Sequence, residues 1–284
     1  MYFPKFWAQG HWEGPGADGS RIRGSAWGWS DDSLEDAARL GEQRAQRAAF
    51  ARSVKGYDAQ VNRYPYASTP LREVILRKIG TSIVSRNAYG CEVLNTEDIV
   101  FVDVDLPEVK ASGGGLFSAL FGKKKAPDPK LEMEREKIAL LENFSRAQAG
   151  LCFRVYRTAK GLRYLLTSKT LPPDNEVVQN LFAAVVCDEN YRNLCNLQKS
   201  FRARLTPKPW RANCAVPPHR YPFQSQSEMG AMEQWITEYR NASSSFATCK
   251  FLQAVGGSRI DPVVEDVLRE HDAMTCAMSE LPLA

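Results

Sequence analysis

Between residues 81 and 106 three strand-like runs, TSIVSRNAYG, CEVLNT and DIVFVDVDL, follow one another with only short turn signals, AYG and NTED, between them. Runs of this kind, rich in Val and Ile and so closely joined, predict an antiparallel meander. The last run belongs to FVDVDLPE, residues 101 to 108, where Pro107 ends the strand. It sets Asp103 and Asp105 among Phe, Val and Leu. Buried carboxylates are costly unless something positive meets them, so this strand asks what meets these two.

The rest of the chain mixes strands and helices without alternating them. Aromatic and polar residues alternate around Trp7 and Trp12 and again around Trp27 and Trp29, which predicts two strands. SDDSLEDAARLGEQRAQRAAFARSV follows, with a cap at Ser30 or Asp31, acids in the first turn and arginines later, and predicts a helix. A shorter helix is expected in YPYASTPLREVILRKIG after Pro70. Beyond the meander come a helix in LEMEREKIALLENFSRAQAG and a hairpin in FRVYRTAKGLRYLLTSK turning at AKG. Residues 174 to 200 read as helical with a break near Asp188, FRARLTP as strand, and KPWRANCAVPPHRYPF as irregular. SEMGAMEQWITEYRNA, ATCKFLQAV and DPVVEDVLREHDAM then predict helix, strand and helix. The class is α+β, an antiparallel sheet flanked by helices with an N-terminal strand-helix extension. Residues 1–80 form that extension, expected to pack on a core of residues 81–284. Residues 110–130, with the glycine run Gly113–Gly115, the lysine run Lys123–Lys125 and two prolines, read as an insertion or connector.

A net charge of +4 over 284 residues names no partner; the placement of the basic residues matters more. The seven cysteines are odd in number and include no CxxC pair, which suits reduced thiols in a cytoplasmic protein and argues against zinc. MYFPKFWAQGHWEGPG lacks the layout of a signal peptide, and no apolar run is long enough to span a bilayer. LFSALFG followed by Lys123, Lys124 and Lys125 is either a contact for an anionic surface or part of a flexible connector.

Side chains at i and i+2 of a strand share a face, so Asp103 and Asp105 project together while Val102 and Val104 face the other way. Two such carboxylates suit a hard divalent ion, Mg²⁺ or Mn²⁺, with Glu108 beyond the strand end as a third oxygen donor. Basic residues cluster in two later stretches: Arg157, Lys160 and Arg163 in the hairpin, then Arg202, Arg204, Lys208 and Arg211 with Phe201 and Trp210 interleaved. Arginines and lysines beside a metal-bearing acidic pair suit a phosphate-rich ligand, and aromatics among them can stack on bases. The alternative is an internal network in which the arginines simply neutralise the aspartates.

The acidic pair on a strand, followed by a helix and the hairpin turn TAKGLRYLL, resembles the catalytic core of archaeo-eukaryotic primases and primase-polymerases over residues 80 to 215. The resemblance implies an RRM-like or palm-like sheet and metal-dependent nucleotidyl transfer on nucleotides or nucleic acid, with Asp103 and Asp105 holding the metal. Thr158, Lys160 and Gly161 fit the family's glycine-containing turn, while Arg163 stands where its phosphate-contacting histidine would be. The strand expected to carry a third acid carries Arg202 and Arg204 instead. A non-catalytic nucleotide- or nucleic-acid-binding protein on the same fold, and a structural protein with internally paired charges, stand beside that reading.

Overall fold

The computed structural model describes residues 1–54, 70–107 and 128–284, which divide into two compact units. The first comprises Met1–Val74 with Arg220–Ser225. Its hairpin pairs β1 (Phe6–Pro15) with β2 (Arg21–Ser30) in antiparallel register from Phe6↔Ser30 to Pro15↔Arg21. Helix α1 (Leu34–Ser53) starts at Ser33, three residues after the first of the expected caps. The Ser33 hydroxyl accepts from the Asp36 amide at 3.0 Å, satisfying a donor that the helix itself leaves open. The helix lies backbone-close on the hairpin through Ala37, Gly41, Ala45 and Ala49. A Cβ added at Gly28 would stand 2.0 Å from the carbonyl oxygen of Ala37, so this approach requires glycine.

The second unit comprises Ile75–His219 with Gln226–Ala284. It holds two four-stranded sheets rather than the single sheet expected. One has the order β10-β7-β8-β6, from β6 (Phe101–Asp105), β7 (Phe153–Thr158), β8 (Gly161–Leu166) and β10 (Cys249–Val255), with every pair antiparallel. The other has the order β3-β4-β5-β9, from β3 (Val74–Ile79), β4 (Ser82–Arg86), β5 (Glu92–Thr96) and β9 (Phe201–Arg204). Mixed helices and antiparallel sheets make the fold α+β. Helix α2 (Pro129–Ala147) leads from β6 to β7, with β8 between those two strands in the sheet, a split βαβ unit. The remaining helices are α3 (Glu176–Ala184), α4 (Glu189–Gln198), α5 (Gln226–Ser243) and α6 (Pro262–Met274). α3 and α4 realise the expected break near Asp188, which caps α4 by accepting from the Tyr191 amide at 2.7 Å.

Two expectations fail here. Residues 74–79 form strand β3, not a helix: VILRKI carries β-branched residues, and Gly80, at φ +57°, turns the chain directly into β4. The meander is also broken after its second strand. β5 pairs with β4 and with β9, Thr96↔Phe201 closing that ladder, so no edge of β5 is left for β6. β6 buries side chains on both faces, Phe101 on one and Val102 and Val104 on the other, and joins β8 across the chain instead. The second sheet is tied to α6 by charge: Glu92 accepts from Arg86 at 3.1 Å and from Arg77 at 3.0 Å, and the Arg77 Nε donates to Glu270 at 2.9 Å.

Candidate functional site

Asp103 lies directly opposite Arg163 in the β6–β8 ladder. The pair is bidentate, Nε to Oδ1 at 2.9 Å and Nη2 to Oδ2 at 3.3 Å, and the Arg163 Nη1 donates to the carbonyl of Arg204 on β9 at 2.9 Å. Arg163 is 1% exposed. Burial alone would pull its pKa down, but the charge and hydrogen bonds of Asp103 outweigh it and hold the guanidinium above its ordinary value. Arg163 therefore joins the two sheets and neutralises one of the two acids.

Behind Arg163 the wall is closed and polar. The Cys249 Sγ lies 3.9 Å from the His271 Nε2, and His271 Nδ1 lies 3.0 Å from the Asp272 carboxylate, which also accepts from Arg154 at 2.9 Å. The sequence gives no hint of this Cys–His–Asp chain because Cys249 and His271 sit 22 residues apart on different elements. Both are fully buried, and burial pushes the Cys249 thiol up to about 11 and the His271 imidazole down. A thiol held protonated beyond solvent reach supports the core and is no nucleophile.

The outer edge of β6 is capped by the α3–α4 junction. The Asp188 amide and the Cys187 thiol both donate to the Asp103 carbonyl, at 3.2 and 3.4 Å, and the Tyr191 hydroxyl donates to the Phe101 carbonyl at 2.9 Å. This brings in Asp188, an acid the sequence reading marked only as a helix break.

Asp105 shares the face of Asp103 but is exposed at the strand end, opposite Gly161. Gly161 has no alternative, since a Cβ there would meet the Val104 carbonyl oxygen at 2.0 Å. Partial burial raises the Asp105 pKa, Asp188 and Asp103 raise it further, and Lys160 and Lys208 oppose them. Glu108 and Lys123–Lys125 fall outside the described residues. Among the described residues no three His, Cys, Asp or Glu side chains are grouped to hold a metal ion. With Asp103 bound to Arg163, the carboxylates left near the strand end among the described residues are Asp105 and Asp188. That donor set fits Mg²⁺ or Mn²⁺ only if phosphate oxygens and water complete the shell.

The predicted basic residues divide. Arg157 pairs with Glu134 of α2 through two bonds of 2.6 Å, which hold its pKa above the ordinary value. Arg202 sits opposite Asn95 on β9, where its charge acts on Cys195. Lys160, in the β7–β8 turn, and Lys208, beyond the end of β9, act on Asp105 at the strand end, and Arg204 and Arg211 in turn act on Lys208. Arg204 is half-buried; desolvation first and then the charge of Arg163 depress its pKa. Burial, Arg204 and Arg211 likewise depress Lys208. Among the described residues no ion pair neutralises Arg204, Lys208 or Arg211.

Beside these cations stand two exposed aromatic rings. Trp210, on the short 3-10 turn Pro209–Arg211, is 48% exposed, and Tyr89, at the β4–β5 turn, is 43% exposed. Their rings meet edge to face at 5.5 Å, and the Lys208 Nζ lies 5.4 Å from the Trp210 ring centre. Tyr89 was not singled out in the sequence; the one signal was a large aromatic at the tip of the tight turn NAYG. No protein-family model, no curated protein and no solved structure matches this chain.

Proposed function

We propose that the second unit binds a phosphate-bearing ligand, a nucleotide or nucleic acid, at the end of β6 and β9 through Arg204, Lys208, Arg211 and Lys160. The observation that carries this reading is the uneven treatment of cations. Arg163 and Arg157 each hold a carboxylate with two bonds, while Arg204 and Lys208, also partly withdrawn from water, form no ion pair among the described residues. Cations desolvated and set against one another are raised in free energy, and a bound polyanion relieves that repulsion. Melting curves with pyrophosphate, nucleoside triphosphates and short oligonucleotides test it. At least one of these raises the melting temperature of the protein, the shift shrinks with added salt, and Lys208→Ala with Arg211→Ala abolishes it. No shift with any of them at low salt sinks the reading.

A second reading, metal-dependent nucleotidyl or phosphoryl transfer, is favoured by the exposed Asp105 and its neighbour Asp188. There Mg²⁺ or Mn²⁺ would be held by Asp105 and ligand phosphates, and would neutralise charge on those phosphates. Mn²⁺ then tightens nucleotide binding in the wild type and fails to do so in Asp105→Asn. An equal effect of Mn²⁺ on both proteins removes this reading and leaves the first in place.

A further inference from the structure

The Tyr89–Trp210 pair has no evident structural purpose. Two large aromatic side chains stand nearly half exposed on turns that are otherwise tightly fixed. At the first turn the Asn87 Oδ1 accepts from the amides of Tyr89 at 3.0 Å and Cys91 at 3.1 Å, and the Gly90 amide donates to the Asn87 carbonyl at 2.8 Å. Gly90, at φ +83°, leaves space for the Trp235 ring, which an added Cβ would meet at 2.1 Å. At the second turn Pro209 is buried, and the Arg211 and Ala212 amides bond to the Lys208 and Pro209 carbonyls at 2.8 and 2.9 Å. The backbone under each ring is thus rigid while the ring itself is presented to solvent. Rigid aromatic presentation lowers the ordering cost of binding, and each base of a nucleic acid offers a flat face to such a ring.

We infer that Tyr89 and Trp210 form a base-stacking platform for single-stranded nucleic acid, whose backbone runs over Lys208, Arg211 and Arg204. The inference rests on the phosphate-binding reading above and adds the polymer and its unpaired bases. Charge complementarity picks a polyanion, and the exposed rings pick one whose bases are free. A duplex hides its base faces, and an acidic protein segment has no such faces to offer.

Fluorescence anisotropy of labelled oligothymidylate and oligodeoxyadenylate against the full chain tests this, with the matching duplex as control. The wild type binds single strands more tightly than duplex, and binding quenches tryptophan emission. Trp210→Ala and Tyr89→Ala each weaken binding about 10-fold or more, while Trp210→Phe keeps most of the affinity. The aromatic variants leave the salt slope unchanged, because they neutralise no phosphate, whereas Lys208→Ala lowers it by about 1. Unchanged melting temperatures in the four variants confirm that the fold persists, as half-exposed positions allow. If Trp210→Ala and Tyr89→Ala bind as the wild type does while Lys208→Ala weakens, the platform is wrong and the phosphate site stands. Equal affinity for duplex, or binding of pyrophosphate with no binding of any oligonucleotide, also overturns it. Failure of every anion to bind removes the phosphate reading itself.

Discussion

Arg163 on β8 and the group of Arg204, Lys208 and Arg211 at the end of β9 use the same chemistry under opposite conditions. Arg163 is sealed in the core with a bidentate carboxylate and a backbone carbonyl for partners. The β9 group is only partly withdrawn from water, and its members raise one another's free energy. The first arrangement is sealed away from any ligand; the second forms no ion pair among the described residues. A basic residue near an acidic strand is therefore no guide to function until its partner is known. Arg163, which the sequence suggested as a phosphate-binding residue, proves to be the more structural of the two.

The sharpest way to break this comparison is to remove the partner of Arg163. Asp103→Ala leaves a fully buried guanidinium without its carboxylate and is expected to cost about 3–5 kcal/mol, read from urea unfolding. The double variant Asp103→Leu with Arg163→Met replaces the pair by apolar groups and should recover most of that loss. If Asp103→Ala unfolds at the wild-type midpoint, the pair is not a structural tie, and Asp103 returns to the list of ligand-binding acids.

A middle case comes from Arg157, paired with Glu134 on α2. Its side chain is 33% exposed while that of Glu134 is 8% exposed, so after Arg157→Ala the carboxylate bears most of the loss. About 1–2 kcal/mol is expected, with no change in anion binding. Weaker binding of pyrophosphate or oligonucleotide by Arg157→Ala would extend the site along β7 and blur the division between closed and open cations.

Most elements were legible because their signals are local. The N-terminal strands, the Asp188 break and the AKG hairpin follow from patterning and capping within a few residues. What the sequence hid was pairing. VILRKI satisfies helical and strand periods alike, and only its hairpin with β4 decides between them. The meander reading set β6 beside β5, which gave no reason to align Asp103 with Arg163, 60 residues on. That contact exists because β6 crosses to the other sheet, a choice made by burial on both of its faces. Asp188 and Tyr89 were missed for the same reason: each reaches the site through a turn whose position only the assembled sheets determine.

The smallest effect should come from Lys208, and its sign is the informative part. Burial and the charges of Arg204 and Arg211 lower its pKa below 10.5, so the folded protein gives up this proton before the unfolded chain does. Between the lowered value and 10.5 the unfolded state holds more protons, and stability from this group rises with pH. Below that window the folded protein carries the charge at a disadvantage. Lys208→Met should therefore be neutral or slightly stabilising at pH 7, by about 0.5 kcal/mol or less, and should lack the alkaline rise. The same variant should lose most of the stabilisation that pyrophosphate or oligonucleotide gives the wild type. Loss of stability in Lys208→Met without any anion present would mean that Lys208 already has its partner, and the open half of the comparison would close.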